Sequence, residues 1–97
     1  MKIWIDDLRP NPEGFFWCKT VVEAQAAVIY AEEHGEEIEL ISTDHDAGDY
    51  GPPDYIKFLD WLESTGRSYP IRLHTMNVVG RENMRRIIQR NDWTEVK

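Results

Sequence analysis

The sequence has one cysteine, no long apolar segment and few basic residues. These shortages argue against an intrachain disulfide, a membrane span and extended binding of nucleic acid. With Cys18 alone, no disulfide can form within the chain, which fits a reducing compartment. Its aromatic and branched neighbours predict that Cys18 is a small buried hydrophobe and not a nucleophile. No segment is long enough to span a membrane and no signal peptide opens the sequence, so we expect a cytoplasmic protein.

Positive charge is scarce: 11 lysines and arginines face 18 aspartates and glutamates, and the formal net charge is −7. Extended binding of DNA or RNA needs basic side chains that neutralise phosphates, so we do not expect it. A local basic pocket can still hold a small phosphorylated ligand. Aspartates and glutamates are concentrated in residues 32–60. Arginines are concentrated in the last third of the chain, at Arg67, Arg72, Arg81, Arg85, Arg86 and Arg90. This division fits a site for a metal and a phosphate, or two solvated faces of opposite sign.

The length allows one domain with a modest core, and we expect residues 1–97 to form it. Thr20 and Glu23 have the spacing of a capping box, and Pro52 or Pro53 is acceptable only at the start of a helix. The predicted strands are 2–6, 15–20, 38–44 and 69–77, with a last edge strand within 92–97, and the predicted helices are 21–35, 51–66 and 79–91. This alternation predicts an α/β fold, with a mostly parallel sheet of four or five strands covered on both faces.

Polar residues follow three of the predicted strands, at 6–7, 44–46 and 74–77. In an open parallel sheet, ligands bind beyond the carboxyl ends of the strands, where the strand order reverses. We therefore expect these three segments to converge on one edge. If the third strand persists to Asp46, then Asp44 and Asp46 share one side of it and His45 points to the other.

Four carboxylates packed together repel one another unless a cation compensates them or one takes up a proton. A divalent metal is the simplest compensation, and Mg²⁺ or Mn²⁺ is the expected ion, because the ligands are oxygens with histidines nearby. The carboxylates are those of Asp6, Asp7, Asp44 and Asp46. An alternative for Asp46 or Asp54 is to cap the helix that follows Pro53.

His45 and His74 are candidates for general acid and base, because imidazole titrates near neutrality. The segment 77–81 leads into a helix, where Arg81 and the backbone around Gly80 can bind an anion. Arg9 either neutralises the acidic pair before it or reaches the ligand. His34, beside a glycine that ends a helix, is explained by a C-terminal cap.

Three segments, DDLRP at 6–10, TDHDAG at 43–48 and HTMNVVGRENM at 74–84, carry a family resemblance over nearly the whole chain. They resemble the cyclic-phosphate processing receiver domain family, whose motifs run approximately D-D-x-R-x-P, L-D-H-D-L-G and H-S-x-N-x-x-G. Thr43, Ala47, Thr75-Met76 and Val78 depart from this pattern. The resemblance implies a three-layer, receiver-like fold of the flavodoxin type and a role in handling cyclic or terminal phosphates of nucleotides or RNA ends.

Residues and resemblance together predict a metal-dependent phosphoesterase. Its metal ligands are Asp6, Asp7 and Asp44; its catalytic residues are His74, His45 and Asp46; its ligand-binding residues are Arg9, Asn77, Gly80 and Arg81. The expected partner is a small phosphorylated ligand, a cyclic nucleotide or a nucleic-acid end. A two-histidine phosphoesterase is excluded, because neither histidine lies in a His-x-Thr or His-x-Ser motif.

Two rivals are a non-catalytic module that binds a phosphorylated ligand or a protein, and a phosphoaccepting response-regulator receiver. The second needs a lysine after its last strand, and only Lys97 is available. A homodimer is also considered, with exposed aromatic side chains at its face, although these side chains serve equally well in a core. They are Trp61, Tyr69 and Trp93.

Overall fold

The computed structural model describes all 97 residues as five strands, three α-helices and one short 3₁₀ turn. The strands are β1 (Lys2–Ile5), β2 (Phe15–Cys18), β3 (Leu40–Thr43), β4 (Ile71–Leu73) and β5 (Glu95–Val96), and the helices are α1 (Val21–Glu33), α2 (Ile56–Ser64) and α3 (Val78–Arg90). All strand pairs are parallel, in the order β2-β1-β3-β4-β5. The predicted α/β receiver-like fold is confirmed.

The sheet has its switch point between β1 and β3, because the chain moves from β1 outward to β2 and then back to β3 and on to β4. Ile5, the last residue of β1, is in register with Thr43, the last residue of β3. The residues that follow these two strands are therefore neighbours. This register places the acids after β1 directly beside the acid after β3.

Helix α1 begins as the capping box predicts. The hydroxyl of Thr20 accepts the N–H of Glu23 at 3.0 Å, and the Glu23 carboxylate accepts the N–H of Lys19 at 3.2 Å. Helix α2 differs from the prediction, because it begins at Ile56 and not at a proline. The segment before it is held otherwise: the N–H of Tyr55 donates to the carbonyl of His45 at 2.9 Å.

The core lies between the sheet and the three helices, and it is one cluster of buried side chains. Its largest fully buried members include Tyr55, Phe58, Ile3, Ile5 and Ile41. Cys18 is buried as predicted, and burial raises the pKa of its thiol to about 12. No helix is long and apolar enough to cross a membrane.

The three aromatic side chains predicted to lie either at a dimer face or in the core are all at least partly buried. Trp93 belongs to the core, and Trp61 and Tyr69 are partly buried against it. Aromatic rings of this size gain most by packing on apolar neighbours, and the small core has room for them. Of the two roles predicted for these side chains, packing in or against the core is the one seen here.

Candidate functional site

Asp6 is the buried centre of the site, one residue beyond the end of β1. Its Oδ1 accepts the backbone N–H groups of Leu8 and Arg9, both at 2.9 Å. Its Oδ2 accepts Nε of Arg9 at 3.0 Å and Nε2 of His74 at 2.9 Å. Burial raises the pKa of this carboxyl, but the hydrogen bonds from the Arg9 and Leu8 backbone and from His74 outweigh it, so the pKa is lowered. Asp6 is therefore ionised and fully hydrogen-bonded.

His74 is held on both ring nitrogens and on one face. Nδ1 lies 2.8 Å from the hydroxyl of Ser42, which accepts Nε of Arg72 at 3.1 Å. The ring stacks on Trp4 with centroids 3.8 Å apart. Burial lowers the pKa of His74, so the ring is neutral at pH 7. Because Nε2 must donate to the Asp6 carboxylate, Nδ1 accepts the Ser42 proton. His74 therefore orients Asp6, and neither ring nitrogen is free.

Asp6 and His74 both contribute to the pH dependence of stability. A carboxyl with a lowered pKa stabilises the fold above its unfolded value of 3.8, and this contribution is lost as pH falls. A histidine with a lowered pKa takes up its proton more readily in the unfolded chain, so stability also falls as pH drops through about 6.5. Urea unfolding of metal-free protein should show stability decreasing from about pH 7 to about pH 5. His74→Gln should flatten this slope, and an unchanged slope would contradict the assignment.

Arg9 links the end of β1 to the end of β3. Its Nε binds Asp6, and its Nη2 lies 3.3 Å from Oδ2 of Asp44. The other oxygen of Asp44 accepts the backbone N–H of His45 at 2.7 Å. Of the two roles predicted for Arg9, neutralisation of the acids is therefore seen directly. Its side chain is 44% exposed, which leaves part of the guanidinium facing the cleft.

Asp7 has no hydrogen bond from another side chain and no ion pair. Burial, and then the charges of Asp6, Asp44 and Asp49, raise the pKa of its carboxyl. Gly48 makes room for it, because a Cβ on that glycine would lie 2.0 Å from Oδ2 of Asp7. The backbone of Gly48 also has φ +55, which glycine adopts at little cost. Asp7 is thus an acid held among other acids without a compensating cation.

A divalent metal fits this group of oxygens. Asp6, Asp7 and Asp44 each offer one carboxylate oxygen, and these oxygens all lie within 4.8 Å of one another. Hard oxygen donors of this kind suit Mg²⁺ or Mn²⁺. The four hydrogen bonds of Asp6 use its acceptor capacity, whereas Asp7 and Asp44 retain more of theirs. Asp7 and Asp44 are therefore the better direct ligands.

His45 and Asp46 form a second group, separate from these three acids. Strand β3 ends at Thr43, so the predicted alternation of Asp44, His45 and Asp46 does not occur. Instead Nδ1 of His45 lies 2.8 Å from Oδ1 of Asp46, and this hydrogen bond lowers the pKa of the Asp46 carboxyl. The His45 ring packs on Gly80, where a Cβ would lie 2.5 Å from Cγ of the ring.

The acids after β3 do not cap helix α2. Its N-cap residue is Tyr55, which has no capping side-chain hydrogen bond. Asp54 instead accepts the backbone N–H of Ala47 at 3.1 Å, and Asp46 accepts the amide of Asn77 at 3.3 Å. The capping alternative for these two acids is wrong.

Asn77 caps helix α3, and this changes the role of Gly80. The side-chain oxygen of Asn77 accepts the N–H of Gly80 at 2.8 Å. That N–H is not free for an anion, contrary to our expectation. The backbone N–H of Arg81 likewise donates to the carbonyl of Asn77 at 2.8 Å, and the Arg81 side chain forms no ion pair and does not line the cleft. The lack of a Cβ on Gly80 serves the packing of His45.

An open cleft of about 350 Å³ lies over the carboxyl ends of β1, β3 and β4. His45, His74, Gly80 and Arg81 lie outside its lining. Arg9 supplies its one basic group against four carboxylates. The residues that line it are Asp6, Asp7, Leu8, Arg9, Asp44, Asp46, Thr75, Met76 and Asn77.

Sequence reasoning missed the residues that support this site. Trp4, Ser42 and Arg72 lie side by side in register, each two residues before a polar group of the site. Trp17 donates its indole N–H to the carbonyl of Asp6 at 2.7 Å. The available signal was Ser42 and Arg72, polar residues within short strands. Side chains two residues apart in a strand lie on the same face, so Ser42 should lie on the same face as Asp44, and Arg72 on the same face as His74.

An all-parallel α/β sheet with an acidic cluster at its switch point defines a receiver-like domain. Within this class, a family model for the cyclic-phosphate processing receiver domain matches residues 1–90. The chain belongs to this family, which confirms the resemblance of its motifs. No curated protein and no solved structure matches the chain.

Proposed function

We propose that this protein hydrolyses a cyclic or terminal phosphate ester on a nucleotide or RNA end, with a divalent metal. The observation that carries the proposal is the group of carboxylate oxygens from Asp6, Asp7 and Asp44 in a domain tied to cyclic-phosphate processing. Four carboxylates against a single guanidinium would repel a phosphate anion. A bound divalent cation would offset most of that negative charge and present its own positive charge to the phosphate oxygens, which would make an acidic cleft suitable for a phosphate ester.

Asp7 and Asp44 would bind Mg²⁺ or Mn²⁺ directly, and the buried Asp6 would add its negative charge beside them. When bound, such an ion polarises phosphoryl oxygens and lowers the pKa of a coordinated water. Arg9 would donate N–H groups to the phosphate, because Asp6 and Asp44 fix its guanidinium at the cleft. His74, Ser42 and Trp4 keep Asp6 in place and remain outside the chemistry.

Proton transfer would fall to His45 and Asp46. Asp46 lines the cleft and shares a hydrogen bond with Nδ1 of His45. A carboxylate that is hydrogen-bonded to an imidazole fixes the tautomer and the orientation of the ring. Asn77 holds Asp46 from the other side through its amide. This pair replaces His74 as the proposed acid–base group.

The phosphoaccepting receiver is less well supported. Lys97 lies 3.2 Å from Glu95 with its own side chain 77% exposed, and no lysine lines the cleft. A receiver uses such a lysine to hold the phosphoryl oxygen beside its aspartate. The one basic residue of the lining is Arg9, which follows the first strand and not the last.

The decisive assay uses protein stripped with a chelator and then supplied with Mg²⁺, Mn²⁺ or Ca²⁺. Nucleoside 2′,3′-cyclic phosphates and a 3′-phosphorylated oligonucleotide are the substrates, and products are separated by chromatography. We expect turnover with Mg²⁺ or Mn²⁺ and none in the chelator. Tight binding without product would indicate the non-catalytic module. A phosphoryl adduct on Asp44 after treatment with acetyl phosphate would indicate the receiver.

A further inference from the structure

Leu8 and Met76 are the two most exposed large apolar side chains of the chain, at 79% and 84%. Both line the acidic cleft, and they are its only apolar lining residues. Isolated exposed apolar residues are ordinary on a protein surface. Two of them on the walls of one small polar cleft form a feature that packing of the core does not explain.

The sheet order places these residues on opposite sides of Asp44. Leu8 follows β1 and Met76 follows β4, and these two strands flank β3. Asp44, which follows β3, therefore lies between them. If a phosphate binds near Asp44, a group attached to it would contact Leu8 on one side and Met76 on the other.

The backbone at both positions is fixed by the hydrogen bonds that build the site. The N–H of Leu8 donates to Asp6, so the side chain is carried by the turn around that buried carboxylate. Met76 is held between Thr75, which is buried, and Asn77, whose N–H donates to the Thr75 hydroxyl at 3.1 Å. The backbone that carries each of the two side chains is thus fixed beside the cleft.

We infer that Leu8 and Met76 form a subsite for the nucleobase of the phosphorylated ligand. This inference rests on the proposed function and assigns the residues that contact the base of its nucleotide substrate. A heterocycle offers flat apolar faces, and methionine sulfur makes favourable contacts with aromatic rings. The phosphate of a polyol has no such group. A cleft of about 350 Å³ lies in the range of sites for ligands of nucleotide size.

The subsite selects for a base but discriminates little among bases. Neither Leu8 nor Met76 carries a donor or acceptor that could read a base edge, so the contact is with the ring face. Purines, which have the larger face, should bind more tightly than pyrimidines.

Calorimetry tests this subsite without requiring turnover. The probes are adenosine 3′-monophosphate, uridine 3′-monophosphate and glycerol 2-phosphate, each with Mg²⁺ present. We expect Leu8→Ala and Met76→Ala each to weaken nucleotide binding about tenfold, and Met76→Leu to weaken it less. Affinity for glycerol 2-phosphate should stay unchanged. Val79→Ala is the matched control, because Val79 is 72% exposed and does not line the cleft.

Equal losses for all three probes, or no loss for the nucleotides, would overturn the subsite. Failure of the hydrolysis assay would not affect this result, because the calorimetric signal comes from binding. Conversely, hydrolysis with unaltered nucleotide affinity in both variants would leave the proposed reaction standing and remove the base subsite.

Discussion

Asp44→Asn should abolish most of the hydrolysis, with a loss of about a hundredfold or more, while the fold is retained. Removal of a single preorganised charge from an active site acts on this scale. Asp44 lies between the other two strand ends, contacts Arg9 and is one of the two acids that we propose as direct metal ligands. An amide keeps the shape of the side chain but loses the charge that binds the cation. The measurement is kcat/KM for a nucleoside 2′,3′-cyclic phosphate with Mg²⁺ or Mn²⁺.

A thermal shift separates metal binding from catalysis in the same variant. A ligand that binds only the folded state raises the melting temperature. We expect Mn²⁺ to raise the melting temperature of the wild-type protein and to leave that of Asp44→Asn nearly unchanged. Asp49→Asn is the control, since Asp49 is exposed and lies outside the group of three acids. Wild-type turnover by Asp44→Asn would exclude Asp44 from the chemistry.

Gly80→Ala should destabilise the protein, although the same change in an ordinary helix stabilises it. Gly80 is a buried residue within α3, and alanine is favoured over glycine there by about 1 kcal/mol. At this position the new Cβ would lie 2.5 to 2.7 Å from three atoms of the His45 ring. Forcing an extra carbon into a packed contact costs about 1–3 kcal/mol. Urea unfolding should therefore give a lower free energy of unfolding than the wild type.

The double variant with His45→Ala tests whether the ring is the cause. With the imidazole removed, Gly80→Ala should regain the stabilising sign that helix propensity gives it. The difference between the two backgrounds is the coupling free energy of the contact. Equal effects of Gly80→Ala in both backgrounds would show that another neighbour is responsible. When His45 is present, Gly80→Ala should displace the His45 ring and break its hydrogen bond to Asp46. We therefore also expect slower turnover in this variant.

The convergence of the polar segments could be predicted because it depends only on strand direction. Strands linked by helices run parallel, so the residues after them lie at one edge. The alternation of Asp44, His45 and Asp46 could not be predicted in the same way, because it required the end of β3. That end is set by where the ladder to β4 stops, at Thr43 and Leu73.

The glycines of the motifs show a similar division. Gly80 was recognisable as a motif residue, and the predicted role of its backbone was to bind an anion. Its actual neighbour is a histidine 35 positions earlier in the chain. No local pattern in the sequence shows which side chain occupies the space beside a glycine, where a Cβ would otherwise lie.

The sequence by itself determined the fold class, the family and the edge of the sheet at which the polar residues meet. These depend on the period of apolar residues and on short motifs, which are local properties of the chain. The tertiary structure alone decided how the polar groups pair: His74 with Asp6, Arg9 between Asp6 and Asp44, and Asp7 without a partner. Such pairings depend on distances of a few ångströms between segments as far apart as β1 and β4. Burial and hydrogen bonds then act together on the pKa values of Asp6 and His74.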